Sequence, residues 1–405
     1  EMKILISAYS CEPNSGSEHE VGWSWIKALS KNNKNKITVI TRKSNKKKIY
    51  LENTLCKKKN VNFWFYDLPD FFLKILKKKN KKNTYLYFYL WQLLIYFKFK
   101  SKINKIKFDF IHHVTFVSLR IPSFLFLCKS NFFFGPVCGG EVIKNCLIKD
   151  FSLKAKIIEY LRLISNFYIK YSPIMNLLFL KSKKIILTHE VNLSLVPKVF
   201  HKKVVIVPSI FNDKIFFKNK IKKNYNIYFA GRLLEWKGAH YLIKIFKKLY
   251  KANNKIKLEI FGDGPLKAKI IDQVKNEVFK NNIKLHGLLP QSKFLKKIKK
   301  SDLLIFPTLR DSGGYVILDA LKNNINVLTT NAPGPMSIIK KNELGYIDIY
   351  NNNETEIVNQ FKKKILNFYK LKQRRVNVYL HDDINSMNKV YKIYSNNEYV
   401  RKSNF

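Results

Sequence analysis

Acidic residues, cysteine pairs and long apolar runs are all scarce in this sequence. Only 28 of its 405 residues are Asp or Glu, against 76 Lys and Arg, so the formal net charge is +48. The five cysteines are odd in number and never spaced as Cys-x-x-Cys, which argues against a disulfide framework or a zinc site. This usage favours a reducing compartment, so we expect a cytoplasmic protein.

No apolar run reaches the 18 or more residues that a spanning helix needs. The nearest is Tyr85–Phe99, which has two interpretations: a buried or interdomain helix, or an interfacial helix lying on a membrane. No signal peptide is recognisable before the first predicted strand at Lys3. The sequence thus predicts a cytoplasmic chain, with peripheral attachment to the inner face of the membrane as one alternative.

The excess of positive charge has three explanations. It could serve nucleic-acid binding, it could attract the chain to an anionic membrane, or it could reflect AT-rich codons with lysines on solvated helix faces. The lysines are scattered in runs such as 77–82 and 296–300, which favours the third explanation and leaves the second compatible with it. Whatever its origin, this field would attract anionic donors and lipids.

The length favours two domains, because single cores rarely exceed about 250–300 residues. Short β-branched or aromatic runs alternate with amphipathic stretches, which predicts α/β units with doubly wound parallel sheets. The predicted strands are Lys3–Ala8, Ile37–Thr41, Val61–Tyr66, Phe108–Val114, Asn131–Phe134, Lys184–Thr188, Val204–Val207, Asn226–Ala230, Lys257–Phe261, Ile283–His286, Asp302–Phe306 and Asn326–Thr330. The predicted helices are Glu18–Ser30, Ala239–Lys251, Leu266–Phe279 and Tyr315–Lys322.

A polar segment at Pro208–Asn224 interrupts this alternation and marks a domain boundary. We therefore predict a first domain at 1–210, a second at 211–380, and a C-terminal helix within 381–405 that packs back on the first. Ligands of such sheets bind beyond the carboxyl ends of the strands, so the loops at those ends should carry the chemistry.

Two strand-end loops are suited to phosphate. The first runs from Tyr9 to Glu18 and leads through Gly16 and Ser17 into a helix, whose N-terminus can cradle an anion; its alternative is a simple turn capped by Ser17. The second is 231–238, where Arg232 and Lys237 stand between glycines and suit a diphosphate; its alternative is surface charge.

Two further loops follow later strands. The turn at 261–265 contains Gly262 and has either a structural role or a role beside a nucleotide. In the segment 307–320, Asp311 precedes Gly313 and Gly314, and Asp319 follows in the next helix. The carboxylates can accept hydrogen bonds from sugar and ribose hydroxyls while the amides between them face phosphate; the alternative is an N-cap aspartate and a solvated one.

Together and in this order, these motifs resemble glycosyltransferase family 4, the group 1 retaining enzymes. The resemblance spans nearly the whole chain and includes His286-Gly287 and the segment 301–307. It implies the GT-B fold, in which two Rossmann-like doubly wound domains face an interdomain cleft. It further implies transfer of a sugar from a UDP or GDP donor to a glycan or lipid-linked acceptor, in bacterial surface polysaccharide or lipopolysaccharide synthesis.

The resemblance assigns roles to individual residues. Arg232, Lys237 and Asp311 would be catalytic: the two cations would neutralise the leaving pyrophosphate in place of a metal ion, and Asp311 would contact the donor sugar. No cofactor or metal is expected, and nucleic acid is not an expected partner. The donor-binding residues would be Gly16, Ser17, Gly262, Ser312, Gly313, Gly314, Tyr315, Val316 and Asp319.

The sequence also departs from the family pattern. Asp311 and Asp319 stand where the family has the two glutamates of its E-x7-E pattern, so each is one methylene shorter. A catalytic histidine common after the strand near Asn131–Phe134 is missing, and the loop there matches a subgroup with Gly-Pro-x-x-Gly-Gly-Glu. Remaining acceptor-side or cleft candidates are Glu141 and the pair His112 and His113, whose alternative is a place in the core.

Three other functions compete with this one. A basic nucleic-acid-binding protein would explain the charge but not the ordered strand-end loops. A sugar-nucleotide enzyme of the same fold, such as an epimerase or phosphorylase, would share the donor site but glycosylate no acceptor. A degenerate, non-catalytic member of the fold would explain why both glutamates are replaced.

Overall fold

The chain folds into two units in a computed structural model that describes residues 2–52, 54–72, 84–209, 217–220, 224–371, 375–380 and 393–394. The first unit comprises residues 1–140, 164–213 and 383–405, and the second comprises 141–163 and 214–382. Each has its own parallel sheet with helices in the connections between strands.

The first unit contains a seven-stranded parallel sheet in the order β3-β2-β1-β4-β5-β6-β7. Its strands are β1 (Lys3–Ala8), β2 (Lys36–Thr41), β3 (Val61–Phe65), β4 (Phe110–Thr115), β5 (Asn131–Val137), β6 (Ser182–Leu187) and β7 (Val204–Ile206). All of β4 and all but the first residue of β1 are buried, as expected for central strands of a sheet covered on both faces. The strand order reverses between β1 and β4.

The second unit repeats this plan with a six-stranded parallel sheet in the order β11-β10-β9-β12-β13-β15. It also has a three-stranded antiparallel sheet in the order β14-β16-β8, which sequence analysis missed. The strands are β8 (Phe217–Lys220), β9 (Asn226–Ala230), β10 (Lys257–Phe261), β11 (Ile283–Gly287), β12 (Leu303–Phe306), β13 (Asn326–Thr330), β14 (Ile339–Asn342), β15 (Tyr346–Ile347) and β16 (Arg375–Leu380). The order of the parallel sheet reverses between β9 and β12.

Helices connect these strands. They are α1 (Ser17–Leu29), α2 (Lys46–Glu52), α3 (Thr84–Ile106), α4 (Asn145–Ile148), α5 (Leu153–Tyr171), α6 (Pro173–Lys181), α7 (Tyr241–Ala252), α8 (Lys267–Val274), α9 (Gln291–Ile298), α10 (Tyr315–Lys322), α11 (Pro333–Ile338) and α12 (Glu354–Lys370). The helix α12 begins with a reciprocal capping box, in which Asn353 and Glu356 each bind the other's backbone N–H.

The apolar stretch Tyr85–Phe99 forms most of α3 and lies against the core of the first unit. Phe88, Trp91 and Ile95 are fully buried there, and the indole Nε1 of Trp91 donates to the Tyr66 carbonyl at 2.9 Å. This placement fits the buried-helix interpretation. None of the described helices is long and apolar enough to cross a membrane.

The grouping of residues 141–163 with the second unit has a side-chain basis. Glu159 of α5 pairs with Arg310 at 2.5 Å, and the Ser152 hydroxyl donates to Glu235 at 2.6 Å. The predicted boundary near 210 assigned this segment to the first domain because contacts between residues so far apart in the chain leave no local signal. The predicted domain limits themselves stay a prediction.

Most of the C-terminal helix predicted within 381–405 lies outside the described residues. Of that segment, the structure describes Ile393 and Tyr394, and both are buried. The Tyr394 hydroxyl lies 2.5 Å from Nδ1 of His112 on β4, and Nε2 of the same ring lies 2.6 Å from the Gly135 carbonyl. A carbonyl only accepts, so His112 carries its proton on Nε2 and accepts from Tyr394 through Nδ1.

Acid should weaken the folded state through His112. Burial lowers the pKa of His112 to about 3, against which the bond to the Gly135 carbonyl acts only in part. The unfolded chain therefore binds the proton first, so stability is complete above pH ~6.5 and falls as the pH drops towards 3. Between pH 7 and 5, urea unfolding should show a loss of about 2 kcal/mol from this residue alone.

The variant His112→Gln should remove that part of the loss, whereas His201→Gln, at a half-buried histidine, should leave it in place. Equal losses of stability between pH 7 and 5 in the wild type and in His112→Gln would contradict this role of His112.

Candidate functional site

The strand-end loops of the second unit meet where its sheet reverses order, between β9 and β12. The loop after β9 contains a single helical turn at Glu235–Lys237. The Trp236 carbonyl in that turn accepts the backbone N–H groups of Leu309 and Arg310, at 3.0 and 3.2 Å. The predicted Arg232–Lys237 and Asp311 loops are therefore bonded to each other at the edge where open parallel sheets bind ligands.

Two glycines permit this close approach. Gly238 has a φ of 71°, and a Cβ placed there would lie 1.9 Å from the Pro307 carbonyl oxygen. Gly262, with a φ of 128°, follows β10, and a Cβ placed there would lie 1.9 Å from the Gly231 carbonyl oxygen. Any side chain at either position would force backbone atoms apart. Gly262 thus joins the same loop cluster through its backbone, and its predicted donor-binding role stays a prediction.

An ion pair joins the two predicted catalytic loops. The Lys237 ammonium lies 2.6 Å from Oδ2 of Asp311, and the Asp311 side chain is almost completely buried. Oδ1 of the same carboxylate accepts the N–H groups of Gly313 and Gly314, at 3.0 and 3.1 Å. Three donors therefore satisfy one buried carboxylate.

The electrostatics of Asp311 follow from these bonds. Burial by itself would raise the pKa of Asp311, but the Lys237 charge and the two glycine N–H groups outweigh it and hold the pKa below its usual value. The carboxylate is therefore ionised at neutral pH. The sequence predicted that the amides of Gly313 and Gly314 face a ligand, whereas in this structure they bind Asp311.

Arg232 behaves differently from Lys237. Its side chain is exposed, and within the described part of the chain no carboxylate lies at ion-pairing distance from it. Lys237 and Asp311 compensate each other, so Arg232 supplies the uncompensated positive charge of this loop cluster.

The remaining donor-site candidates lie along the start of α10. Ser312, Tyr315 and Val316 are half-buried, and Tyr315 is the first residue of the helix. Asp319, also half-buried, lies in the second turn, where its charge adds to the effect of burial in raising the pKa of Tyr228 on β9. Asp319 therefore lies near the β9 side of the sheet.

A buried cation next to Asp311 escaped the sequence analysis. The Arg310 guanidinium binds Glu159 at 2.5 Å and lies over the Trp236 ring, 5.1 Å from its centroid. Glu159 is 151 residues away in sequence, so no spacing could have indicated this pair. Arg310 fixes Trp236, whose carbonyl connects the two loops.

The predicted phosphate cradle in the first unit takes a different form. Gly16 and Ser17 both have positive φ, at 65° and 50°, and start α1 without a side-chain cap. The Lys48 ammonium binds Glu12 at 2.5 Å within this loop. At the start of the helix, Glu18 accepts the Val117 N–H at 3.1 Å, and burial raises the pKa of Glu18 to about 7.

The acceptor-side candidates are buried. His112 and His113 on β4 are fully enclosed, and burial lowers the pKa of His113 to about 4, so the placement of both fits the core alternative. Glu141 is buried and accepts a hydrogen bond from Arg162 at 2.6 Å. Within the described ranges, no three His, Cys, Asp or Glu side chains group as metal ligands, and no disulfide joins the five cysteines.

Comparison with known proteins connects this site to a family. The family model for Glycosyl transferases group 1 matches residues 211–378, the segment that holds the loop cluster. The uncharacterized glycosyltransferase MJ1059 of Methanocaldococcus jannaschii is 29% identical over 186 residues, covering 43% of this chain and 44% of that protein. The capsular polysaccharide biosynthesis glycosyltransferase CapM of Staphylococcus aureus is 26% identical over 127 residues, covering 31% and 33%. The chain thus matches less than half the length of these curated relatives.

The whole chain also resembles solved structures. The crystal structure of an S. aureus TarM variant, in complex with Fondaparinux, alpha-GlcNAc-glycerol and UDP, superposes with a TM-score of 0.59. The match covers 97% of this chain and 99% of that one at 13% identity, so it is evidence for the fold alone. The predicted architecture of two doubly wound domains is confirmed. The chain has the GT-B fold, and its residues 211–378 match the family model for Glycosyl transferases group 1.

Proposed function

We propose that this chain is a retaining glycosyltransferase that moves a sugar from a nucleoside-diphosphate donor to a glycan or lipid-linked acceptor. The observation that carries the proposal is the Lys237–Asp311 pair at the reversal of the second sheet, inside the segment that matches the group 1 family. The GT-B fold and the glycosyltransferase names of the relatives support the same activity.

Lys237 can contact a diphosphate without leaving Asp311. An ammonium has three N–H donors, and one of them is directed at Asp311 in this structure. The carboxylate holds the flexible lysine side chain in place, so less conformational entropy is lost when the donor binds. Asp311 would thereby position the cation as well as contact the donor sugar, and Asp319 would bind the ribose.

Arg232 would add the charge that Lys237 alone does not supply. Because it is exposed and has no carboxylate partner among the described residues, its guanidinium is available to a phosphate in a two-pronged contact. The loop cluster then offers two cations and one carboxylate to a diphosphate.

In the proposed reaction, the bond between the anomeric carbon and the diphosphate oxygen breaks while the acceptor oxygen bonds to that carbon on the same face. Negative charge develops on the leaving phosphate, where fixed cations stabilise it most. The departing phosphate oxygen takes the acceptor hydroxyl proton, so no protein base and no metal ion take part. This fits a chain that lacks the histidine common in the family after the strand near Asn131–Phe134, and in which His112 and His113 are enclosed.

The names of two similar proteins suggest which donor and acceptor to test first. TarM was solved with UDP, and CapM is named for capsular polysaccharide biosynthesis. We therefore propose UDP as the first donor carrier to test, with GDP second, and a surface polysaccharide or lipopolysaccharide as the product. We place the reaction in the cytoplasm, with the first domain on the acceptor side.

A thermal-shift panel tests donor binding. The nucleotide that the site recognises should raise the melting temperature with increasing concentration, because it binds the folded chain alone. UDP or GDP should do so and ADP should not. Salt-sensitive binding of duplex DNA without any nucleotide shift would instead support a nucleic-acid-binding protein, and nucleotide binding with epimerised or phosphorolysed product would support a different enzyme of this fold.

Removing either cation should slow transfer. Losing one fixed group that stabilises the developing charge typically costs about 10²–10³ in rate, so we expect Arg232→Ala and Lys237→Ala to fall by that order. Sugar transfer measured with the donor found above is the assay. Lys251→Ala removes an exposed lysine at the end of α7 and should keep the wild-type rate. Wild-type rates in both cation variants would refute their assignment.

Lys237 should also contribute to stability, unlike a solvent-exposed lysine. Lys237→Met leaves the Asp311 charge buried without its cation, which should lower the free energy of unfolding by about 3 kcal/mol or more. The matched control is Lys267→Met, because Lys267 pairs with Asp263 at 2.9 Å in an exposed position, where solvent screening leaves the pair little effect on stability. Urea unfolding of both variants is the measurement. Equal losses of stability in the two variants would show that the Lys237–Asp311 pair contributes no more than an exposed ion pair.

A further inference from the structure

The helix α5 exposes apolar side chains and directs polar ones inward, which is the opposite of an ordinary surface helix. Large apolar side chains point to solvent at spacings of three and four residues, which places them on one face. Ile164 and Phe167 are 65% and 67% exposed. We define this apolar stripe by its members: Leu153, Ile157, Tyr160, Leu161, Ile164, Phe167, Tyr168 and Tyr171.

The polar side chains of the same helix face the protein. Glu159 binds Arg310, and Arg162 donates to Glu141 at 2.6 Å. Further along, Ser165 accepts from Nε of Arg120 at 2.7 Å. These bonds fix the rotation of the helix, so the apolar stripe cannot turn inward without breaking buried ion pairs.

Positive charge borders the stripe. At about 100° per residue, Lys154 and Lys156 lie next to its two edges, and neither has an ion-pair partner among the described residues. Glu159, the acidic residue of α5, is buried against Arg310. An exposed apolar face with lysine borders and no exposed acid has the composition of a helix that lies in a membrane interface.

We propose that the apolar stripe of α5 is the surface through which this chain binds anionic lipid bilayers. One observation favours a membrane over a second copy of the chain, and another favours α5 over the other candidate membrane helix. With a net charge of +48, two copies would repel each other, whereas an anionic leaflet attracts the chain. The alternative membrane helix, Tyr85–Phe99, has its central residues Phe88, Trp91 and Ile95 in the core.

Flotation with vesicles tests this directly. The full chain is mixed with vesicles of phosphatidylcholine and phosphatidylglycerol in equal amounts, and in parallel with phosphatidylcholine alone. The wild type should float with the anionic vesicles and remain largely unbound with the neutral ones. Ile164→Gln combined with Phe167→Gln should weaken partitioning about tenfold or more, because two apolar side chains no longer enter the interface.

The matched control combines Val278→Gln with Leu288→Gln, which removes two apolar side chains that are both 82% exposed elsewhere in the chain. It should float like the wild type. Circular dichroism and melting temperature should not change in either double variant, since all four side chains are exposed. If the first pair does melt earlier, Leu161→Gln with Tyr171→Gln answers the same question.

Several outcomes would overturn the proposal. Unchanged flotation of the stripe variants would place lipid binding elsewhere, and failure of the wild type to float would remove it. Equal binding to neutral vesicles would contradict the role of charge. A wild-type dimer in light scattering that the stripe variants convert to monomers would assign this face to a second copy. None of these outcomes depends on glycosyltransferase activity.

Discussion

The contact between Lys237 and Asp311 holds together the part of the molecule on which function depends. It connects the loop after β9 to the loop after β12, and the same carboxylate gathers the N–H groups of the turn before α10. A buried carboxylate needs these donors, because an uncompensated charge in the interior costs several kcal/mol. The cost of burying Asp311 therefore forces the two loops into one arrangement, and a cation is left in place at the ligand edge of the sheet.

Central strands were the most predictable part of the fold. Four strands of the two parallel sheets, Lys3–Ala8, Asn226–Ala230, Lys257–Phe261 and Asn326–Thr330, have the bounds that the sequence predicts. Such strands are covered on both faces and form continuous apolar runs. The antiparallel strands were missed for two reasons. β8 and β14 are four residues long and rich in Lys and Asn, and β16 pairs with β8 across more than 150 residues.

The site was predictable only in part. Spacing and strand-end position placed Lys237, Gly262 and Asp311 in one loop cluster, but they did not indicate that Asp311 would bind the amides of Gly313 and Gly314 itself. The Arg310–Glu159 pair depends on a contact across 151 residues, which leaves no pattern in the sequence. The periodicity of α5 likewise defines an apolar face without telling which face points inward, and that choice is made by buried partners such as Arg310.

Glycine is scarce in this chain, but it is present where the loops of the cluster touch. The chain has only 14 glycines in 405 residues. Yet Gly238, Gly262 and Gly334 stand where an added Cβ would lie within 2.4 Å of a backbone oxygen of another loop. Residues on solvated surfaces can be replaced at little cost in stability. Glycines at positions where main chains touch cannot, because any side chain there would collide with a backbone oxygen. The shape of the loop cluster at the carboxyl ends of the strands is therefore set by its backbone, and it can persist while the surrounding side chains change.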